Sequence, residues 1–279
     1  MAINLVTLYQ PYVDELFATE SKIDLLTNKD FKWTGAHSIK VYKVSTAPMT
    51  DYDRVGTGTG LAGSRYGNVG ALGATTQEMV LSKDRSFTFA IDRLDTDETA
   101  RQLEASSALA RQLRQVVVPE IDKYVYGKMS TAAGTIPAAK ALTAANIYDE
   151  IIAAGKSLDN FEVPDTERFL ILNPDSYVLM KKSSEIIMET EISNEERIKG
   201  VIGMIDGCRV FKVPDTHLPA KFGFLMGHKV ATVAAQKLED YKIHEDPPGI
   251  SGSLVEGRIC YDAFVMDNKA KALYYQAII

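Results

Sequence analysis

Few stretches of this chain carry residues at a spacing that could do chemistry, and each asks for a structural context that its neighbours must supply. Gly58 to Gly63, GTGLAG, meets the G-x-G-x-x-G spacing that cradles a dinucleotide pyrophosphate. That spacing works only where a strand ends in a tight turn and a helix N-terminus faces the phosphates. The residues that follow, SRYGNVGALG, cannot begin a stable helix, so the glycines read as backbone freedom in a loop. Gly155-Lys156-Ser157 repeats the end of a phosphate-binding loop, but the opening glycine of G-x-x-x-x-G-K-S would stand at position 150, which is Glu150. A helix C-terminus is a sufficient account of these three residues.

The remaining reactive side chains do not gather. His37, His217, His228 and His244 share no ligand spacing with one another or with Cys208 and Cys260. The two cysteines lie far apart in apolar sequence, which suits reduced, buried thiols rather than a disulfide framework. Glu189, Glu191 and the run Asn194-Glu195-Glu196-Arg197 sit in polar sequence and read as a solvated face. A catalytic acid and base would need a pocket to move their pKa values apart, and no such pocket is implied. The expectation is therefore a chain that is not an enzyme, with no catalytic residue, no cofactor-binding residue, no metal ligand and no cofactor.

The totals agree with a soluble globular protein: 279 residues, 46% hydrophobic and 24% charged. A net charge of −6 argues against a protein whose main task is to grip phosphates. No run of about 18 apolar residues occurs, and MAINLVTLYQPYVDELF has neither a basic leader nor a small-residue cleavage site, so no membrane association and no export are expected.

The element that should organise the rest runs from Asp95 to about Ser130. Asp95 and Glu98 form a capping box, and Leu103, Ala110, Leu113, Val117, Ile121 and Tyr124 share one narrow face. Arg101, Glu104, Arg111, Gln115 and Asp122 fall on the other side. One helix of that length would be roughly 50 Å long. Pro119 cannot donate to the carbonyl of Gln115, which predicts a kink or a short break there.

Before this helix, residues 1–37 carry Val13, Leu16 and Phe17 at helical spacing and the single Trp33, too little apolar surface to fold alone. They read as an arm that packs on something else. Ser38 to Thr46 and Arg85 to Asp92, with Phe87, Phe89 and Ile91 on one face, are expected to be antiparallel partners. Seven of the 19 glycines fall between Gly56 and Gly73, which marks the connection between those strands as a long projecting loop.

After the long helix the pattern alternates. Thr143 caps a helix carrying Ile147, Ile151 and Ala154, RFLIL at Arg168 to Leu172 is a short continuous apolar strand closed by Asn173-Pro174, and Asp175 or Ser176 opens another helix. Gly200 to Val213 forms two short strands around Asp206-Gly207, Phe222 to Met226 another strand, and Val230 to Leu238 a helix. His244 to Ser253 reads as a loop. GRICYDAFVMD and AKALYYQAII, turning at Asn268-Lys269, make a closing hairpin.

This succession of parts resembles the major capsid proteins of tailed bacteriophages over essentially the whole chain. The phrases that carry the likeness are VVPEIDKY, FLILNPDSYVLM, GMIDGCRVFKVPD and GRICYDAFVMDNKAKALYY. The resemblance implies an α+β Hong Kong 97-like capsid fold with a long spine helix, an extended β-hairpin loop, and peripheral and axial domains. On this chain that means an N-terminal arm at 1–37, the extended loop with its flanking strands at 38–94 and its tip at about 47–82, and the spine helix of the peripheral domain at 95–134. The axial domain falls at 135–253 and the C-terminal hairpin of the peripheral domain at 254–279.

The function implied is that of a structural coat protein that self-assembles, as pentamers and hexamers of an icosahedral shell, around the double-stranded DNA genome without binding it by sequence. Scaffolding, portal and decoration proteins are the implied partners, with a separate scaffolding protein favoured because the chain opens with Met1 and a short arm. The implied location is the virion, and the bacterial host cytoplasm during assembly. In some members of the family a loop lysine forms an isopeptide bond to an asparagine of the next subunit. Lys43, Lys83 and Asn268 are the residues that could correspond. An encapsulin-like nanocompartment shell is the alternative within the same fold, and a soluble α/β nucleotide-binding enzyme using GTGLAG is the alternative outside it.

Overall fold

A computed structural model of the chain describes residues 20–31, 38–56, 65–66, 71–98, 104–183 and 201–279. Two compact units result, one of residues 35–80 and one of residues 1–34 with 81–279.

The smaller unit is a two-stranded antiparallel ladder, β1 (Ser38–Val44) against β2 (Ala74–Val80), with Ser38 opposite Val80 and Val44 opposite Ala74. The ladder is extended where the Ser45 side chain exchanges hydrogen bonds with the backbone of Gly73, and farther out Tyr52 and Tyr66 meet edge to face. β1 was expected to pair with the strand at Arg85–Asp92. It pairs instead with ATTQEMV, whose three polar residues and single glutamate hid its strand period.

In the larger unit, α1 (Ile23–Leu26) is followed by β3 (Lys83–Asp92) and α2 (Arg93–Glu98). The helix does not begin at the expected Asp95: Asp92 accepts the amide of Leu94, and α2 is already under way when Asp95 is reached. Residues 99–103 lie outside the described residues. Glu104 has extended backbone, φ −73° and ψ 135°, and a new helix starts after it. The spine therefore runs from Ala105 rather than Asp95, as α3 (Ala105–Gln112), a π-turn (Leu113–Val117) and α4 (Val118–Thr131) in unbroken succession, roughly 40 Å in length. The disturbance expected at Pro119 takes the form of that π-turn, with Val118 N–H donating to Leu113 O. Widening the helix one turn before the proline accommodates both the missing donor and the ring.

Two sheets complete the unit. α5 (Ile147–Asn160), β4 (Arg168–Leu172), α6 (Pro174–Lys182), β5 (Val201–Ile205), β6 (Cys208–Lys212) and β7 (Phe222–His228) lead to two long strands, β8 (Thr232–Glu245) and β9 (Gly252–Val265), and then to β10 (Leu273–Ala277). A five-stranded mixed sheet has the order β10-β7-β4-β6-β5, with β4 and β6 parallel. A three-stranded antiparallel sheet has the order β3-β9-β8. α6 starts earlier than the expected Asp175 or Ser176: Pro174 is its first residue, and the Asn173 side chain caps it by accepting from the Ser176 amide. α5 is capped at Asn146, three residues after the expected Thr143.

Three expectations fail in the last third of the chain. Val230 to Leu238 is not a helix: after a short 3-10 turn at Lys229–Ala231 the chain enters β8, where pairing with β9 along the strand, with one register shift between Gln236 and Leu238, overrides the helix propensity of its alanines. His244 to Ser253 is mostly strand, with the turn confined to residues 246–251. The closing hairpin does not form either. Asp267–Ala272 is a 3-10 turn that carries the chain from the three-stranded sheet to the edge of the five-stranded one, so β9 and β10 never pair. Tyr274 and Tyr275 are both buried, one on each face of the second sheet, which a half-solvated hairpin strand would not allow.

The five-stranded sheet holds the core on both faces. Ile147, Ile151, Ala154 and Leu158 of α5 pack with Leu170, Leu172, Met180, Val210 and Phe224 on one side. On the other, Val125, Tyr126 and Met129 of α4 meet Phe169, Ile171, Phe211 and Leu225, with Ile23 and Leu26 of α1 closing the edge.

On the three-stranded sheet Gly257 lies beneath the rings of Phe87 and Tyr241, where an added Cβ would stand 2.4 Å and 2.9 Å from ring carbons. Gly257→Ala is expected to destabilise the subunit by about 1–3 kcal/mol, measured by urea unfolding. Gly257→Ala combined with Phe87→Leu should recover part of that loss.

Candidate assembly surfaces

The residues with chemical potential end up dispersed. GTGLAG, His37 and the acidic run from Glu189 to Arg197 lie outside the described residues. Gly155 to Ser157 sits in the later turns of α5, where the backbone amides already belong to the helix, as the reading of a helix end required. His228 accepts the Val230 amide through Nδ1 at 3.2 Å, and His244 faces Glu256 at 3.3 Å. Among the described residues no group of three or more His, Cys, Asp or Glu side chains could hold a metal ion. Both cysteines are free, and burial pushes the Cys208 thiol up to about 11, which leaves it protonated and a poor nucleophile near neutrality.

One cluster does bring together a serine, a histidine and an aspartate. Asp122, assigned to the outer side of the spine by its helical position, is 2% exposed. Its Oδ1 accepts from Ser21 Oγ at 2.6 Å and its Oδ2 meets His217 Nδ1 at 2.8 Å. The wiring is not that of a nucleophile and its base: serine and histidine both address the carboxylate, so nothing draws the proton from Ser21. What the cluster does is mechanical. It ties the segment before α1 and the turn at Asp215–His217 to the middle of the spine.

A second carboxylate does the same on the other sheet. Asp262 on β9 accepts from Ser82 N at 2.8 Å, Ser82 Oγ at 2.7 Å and Tyr124 Oη at 2.8 Å. Burial alone would raise its pKa, but these hydrogen bonds, with the Ala263 amide, outweigh that and lower it. The spine is thus held through Asp122 and Tyr124, three and five positions after Pro119. Sequence pattern could not find either anchor, because a single Asp on a helix gives no periodic signal.

Before Pro119 the spine is held far less. No residue of α3 or of the π-turn is buried, and Val116 is 46% exposed. A groove of about 440 Å³ opens beside this half, lined by Leu113, Val117 and Ile121 of the helix and by Ala235, Tyr241 and Ile259 of the sheet below. In the smaller unit the apolar surface is more open still. Tyr42, Val44, Met49, Val55, Tyr66 and Leu72 are each more than 60% exposed. Isolated exposed apolar residues are ordinary, but six on one two-stranded ladder and its extension mark an interaction surface.

Of the lysines and asparagine named for a cross-link, Lys43 lies on β1, Lys83 opens β3 with its ammonium 5.2 Å from the centroid of Tyr124, and Asn268 lies in the turn after β9.

No protein-family model matches the chain, and no curated protein is similar to it in sequence. Solved structures do match over nearly its whole length. A chain of Mycobacterium phage Che8 superposes with a TM-score of 0.73 at 18% identity, covering 98% of this chain and 96% of that one. A chain from the capsid structure of the cyanophage P-SCSP1u gives a TM-score of 0.73 at 14% identity, with 99% and 93% covered. A virus-like particle from Pyrococcus furiosus matches at 0.56 and 11% identity, with 92% of each chain covered. The chain has the Hong Kong 97-like capsid fold, an α+β architecture shared with these phage structures.

Two outcomes follow from the anchors. Asp122→Ala should lower subunit stability by about 1–3 kcal/mol for each of the two donors left without an acceptor, as read by urea unfolding. Because the folded pKa of Asp262 lies below its unfolded value of 3.8, its stabilisation is complete above that pH and is lost as pH falls through the folded value. Asp262→Asn should therefore flatten the acid limb of the stability profile below about pH 4, followed by circular dichroism.

Proposed function

We propose that this chain is a major capsid protein that assembles into the icosahedral shell enclosing the double-stranded DNA of a tailed bacteriophage. The observation that carries the reading is the apolar surface of the 35–80 unit, which its own fold leaves in water on a chain whose architecture matches phage capsid structures from end to end. A side chain such as Val44 or Tyr42, transferred from water to a neighbouring copy, contributes up to about 1.5–3 kcal/mol, and the contact recurs in every subunit.

In this reading the spine and the β3-β9-β8 sheet form the peripheral domain, the five-stranded sheet with α5 and α6 the axial domain that gathers at the five- and sixfold vertices, and residues 47–82 the reach onto a neighbour, so the division expected at 135–253 and 254–279 exchanges β8 for β10. The chain works as pentamers and hexamers, is not an enzyme, and acts in the virion after assembly in the host cytoplasm with scaffolding, portal and decoration proteins. A cargo-loading, encapsulin-like shell is the second reading, supported by the match to the Pyrococcus furiosus particle, and the lower TM-score of that match ranks it second. Cargo copurifying with the particles in place of a requirement for scaffolding protein would favour it.

The test separates folding from assembly. Tyr42→Ser with Val44→Ser should leave subunit unfolding within about ±0.5 kcal/mol of the unsubstituted chain, since both side chains already face water. The same pair should abolish the fast-sedimenting particles that the unsubstituted chain forms, seen by analytical ultracentrifugation and negative-stain microscopy. An unsubstituted chain that stays monomeric even with scaffolding protein would overturn the proposal.

A further inference from the structure

Two short connections between the two sheets lie side by side. Residues 228–231 lead from β7 to β8, and residues 266–272 lead from β9 to β10. Both leave and rejoin the sheets on paired residues: Gly227 lies opposite Leu273 in the five-stranded sheet, and Thr232 lies opposite Val265 in the three-stranded one. The Met266 amide donates to the Ala231 carbonyl at 3.0 Å, which ties one crossover to the other. A few backbone hydrogen bonds thus help to set one sheet against the other.

The shorter crossover opens on a histidine whose own ring closes it. His228 Nδ1 accepts the Val230 amide at 3.2 Å, which requires an unprotonated Nδ1 and places the ring proton on Nε2. The residue is buried, and that burial is the main reason its pKa lies below the ordinary 6.5. Glu167 and a hydrogen bond with the Thr166 backbone oppose the shift without reversing it. Arg168, its cross-strand neighbour on β4, and Lys269, in the longer crossover, add to it. The ring is therefore neutral near pH 7, and charging it sets a third cation beside Arg168 and Lys269.

We propose that His228 is a pH-sensitive latch on the junction of the two sheets: its neutral ring holds the β7–β8 crossover closed, and protonation of Nδ1 releases it. A proton on Nδ1 turns the acceptor into a second donor facing the Val230 N–H, so that amide loses its partner. The Ala231 carbonyl is one residue on, and the Met266 amide that depends on it loosens in turn. His217 and His244 meet carboxylates, contacts that a protonated ring keeps, whereas the contact of His228 needs the bare nitrogen. Because the folded-state pKa of His228 lies below the unfolded value of 6.5, its contribution is complete above that value and is lost as pH falls through the folded one. The latch works within one subunit and does not rest on the capsid reading.

The experiment is hydrogen exchange on the full chain, read by mass spectrometry with fragmentation to single amides and corrected for the intrinsic pH dependence of exchange. Protection of the Val230 amide should fall about tenfold between about pH 7.5 and about pH 5.0, with the Met266 amide following it. The Ile171 amide, in the middle of the five-stranded sheet, should keep its protection over the same range. His228→Asn supplies an oxygen that can accept the amide two residues on and that does not titrate, so Val230 should stay protected at both pH values. His228→Ala, which has no acceptor, should show the low protection at both.

Protection at Val230 that does not change with pH, or that changes as much in His228→Asn, overturns the proposal, the second result by assigning the response to another group. Equal loss at Ile171 overturns it in favour of general acid unfolding. Loss at Val230 while Met266 stays protected overturns it in favour of an isolated cap that does not reach the neighbouring crossover. His228→Asn carries the comparison if His228→Ala fails to fold.

Discussion

A carboxylate buried in the middle of a helix is the constraint from which the architecture proceeds. Asp122 is costly to remove from water, and it is stable there because Ser21 and His217 approach its two oxygens from two other parts of the chain. Satisfying one group thus fixes the rotation of the spine, the exit of the N-terminal segment and the turn between β6 and β7 together. Tyr124, two residues on, reaches Asp262 on the other sheet, so neighbouring positions on one helix anchor both sheets. Packing by Val125, Tyr126 and Met129 supplies the apolar burial, and the polar contacts select the one orientation in which it occurs.

The half of the spine before Pro119 has no equivalent. Its sequence is amphipathic, yet α3 and the π-turn leave every side chain half-buried or exposed, and the groove beside them is lined by strands of the three-stranded sheet. The two halves differ because the five-stranded sheet offers α4 a broad apolar face. The three-stranded sheet offers the earlier turns Phe87, Tyr241 and Tyr261, large rings that hold the helix off the strands. A π-turn at the boundary between a tightly and a loosely packed segment places the weakest backbone hydrogen bonding where the tertiary restraint also weakens.

Much of this was legible in the residues, for reasons that differ by element. RFLIL and the Asp206-Gly207 turn are local: each carries its own signal within about five residues, and each is where the sequence placed it. The strand at Thr232–Glu245 was misread because its alanines favour a helix in isolation, and only the register with β9 makes it a strand. β2 was missed because its run of two threonines, a glutamine and a glutamate, mostly exposed, resembles a polar loop. The anchors at Asp122 and Asp262 were invisible for another reason. Their partners lie 95 to 180 residues away, and nothing local distinguishes a buried aspartate from a solvated one.

The two-stranded ladder at 35–80 raises the energetic question most directly. A lone hairpin is marginal in water, and its two outer edges leave backbone donors and acceptors open to any other strand. Lys40 faces Glu78 across the ladder at 3.9 Å, an exposed pair that adds little stability but makes accidental edge pairing by a like ladder less favourable. Yet the apolar side chains on the same unit point to a surface built to be covered. If each copy both offers such a surface and covers another, one weak contact is made by every subunit, and closure of the assembly makes dissociation of any one copy require several contacts to fail together. A fold can then leave part of its chain under-packed in isolation, because the stability missing from the subunit is restored by identical neighbours.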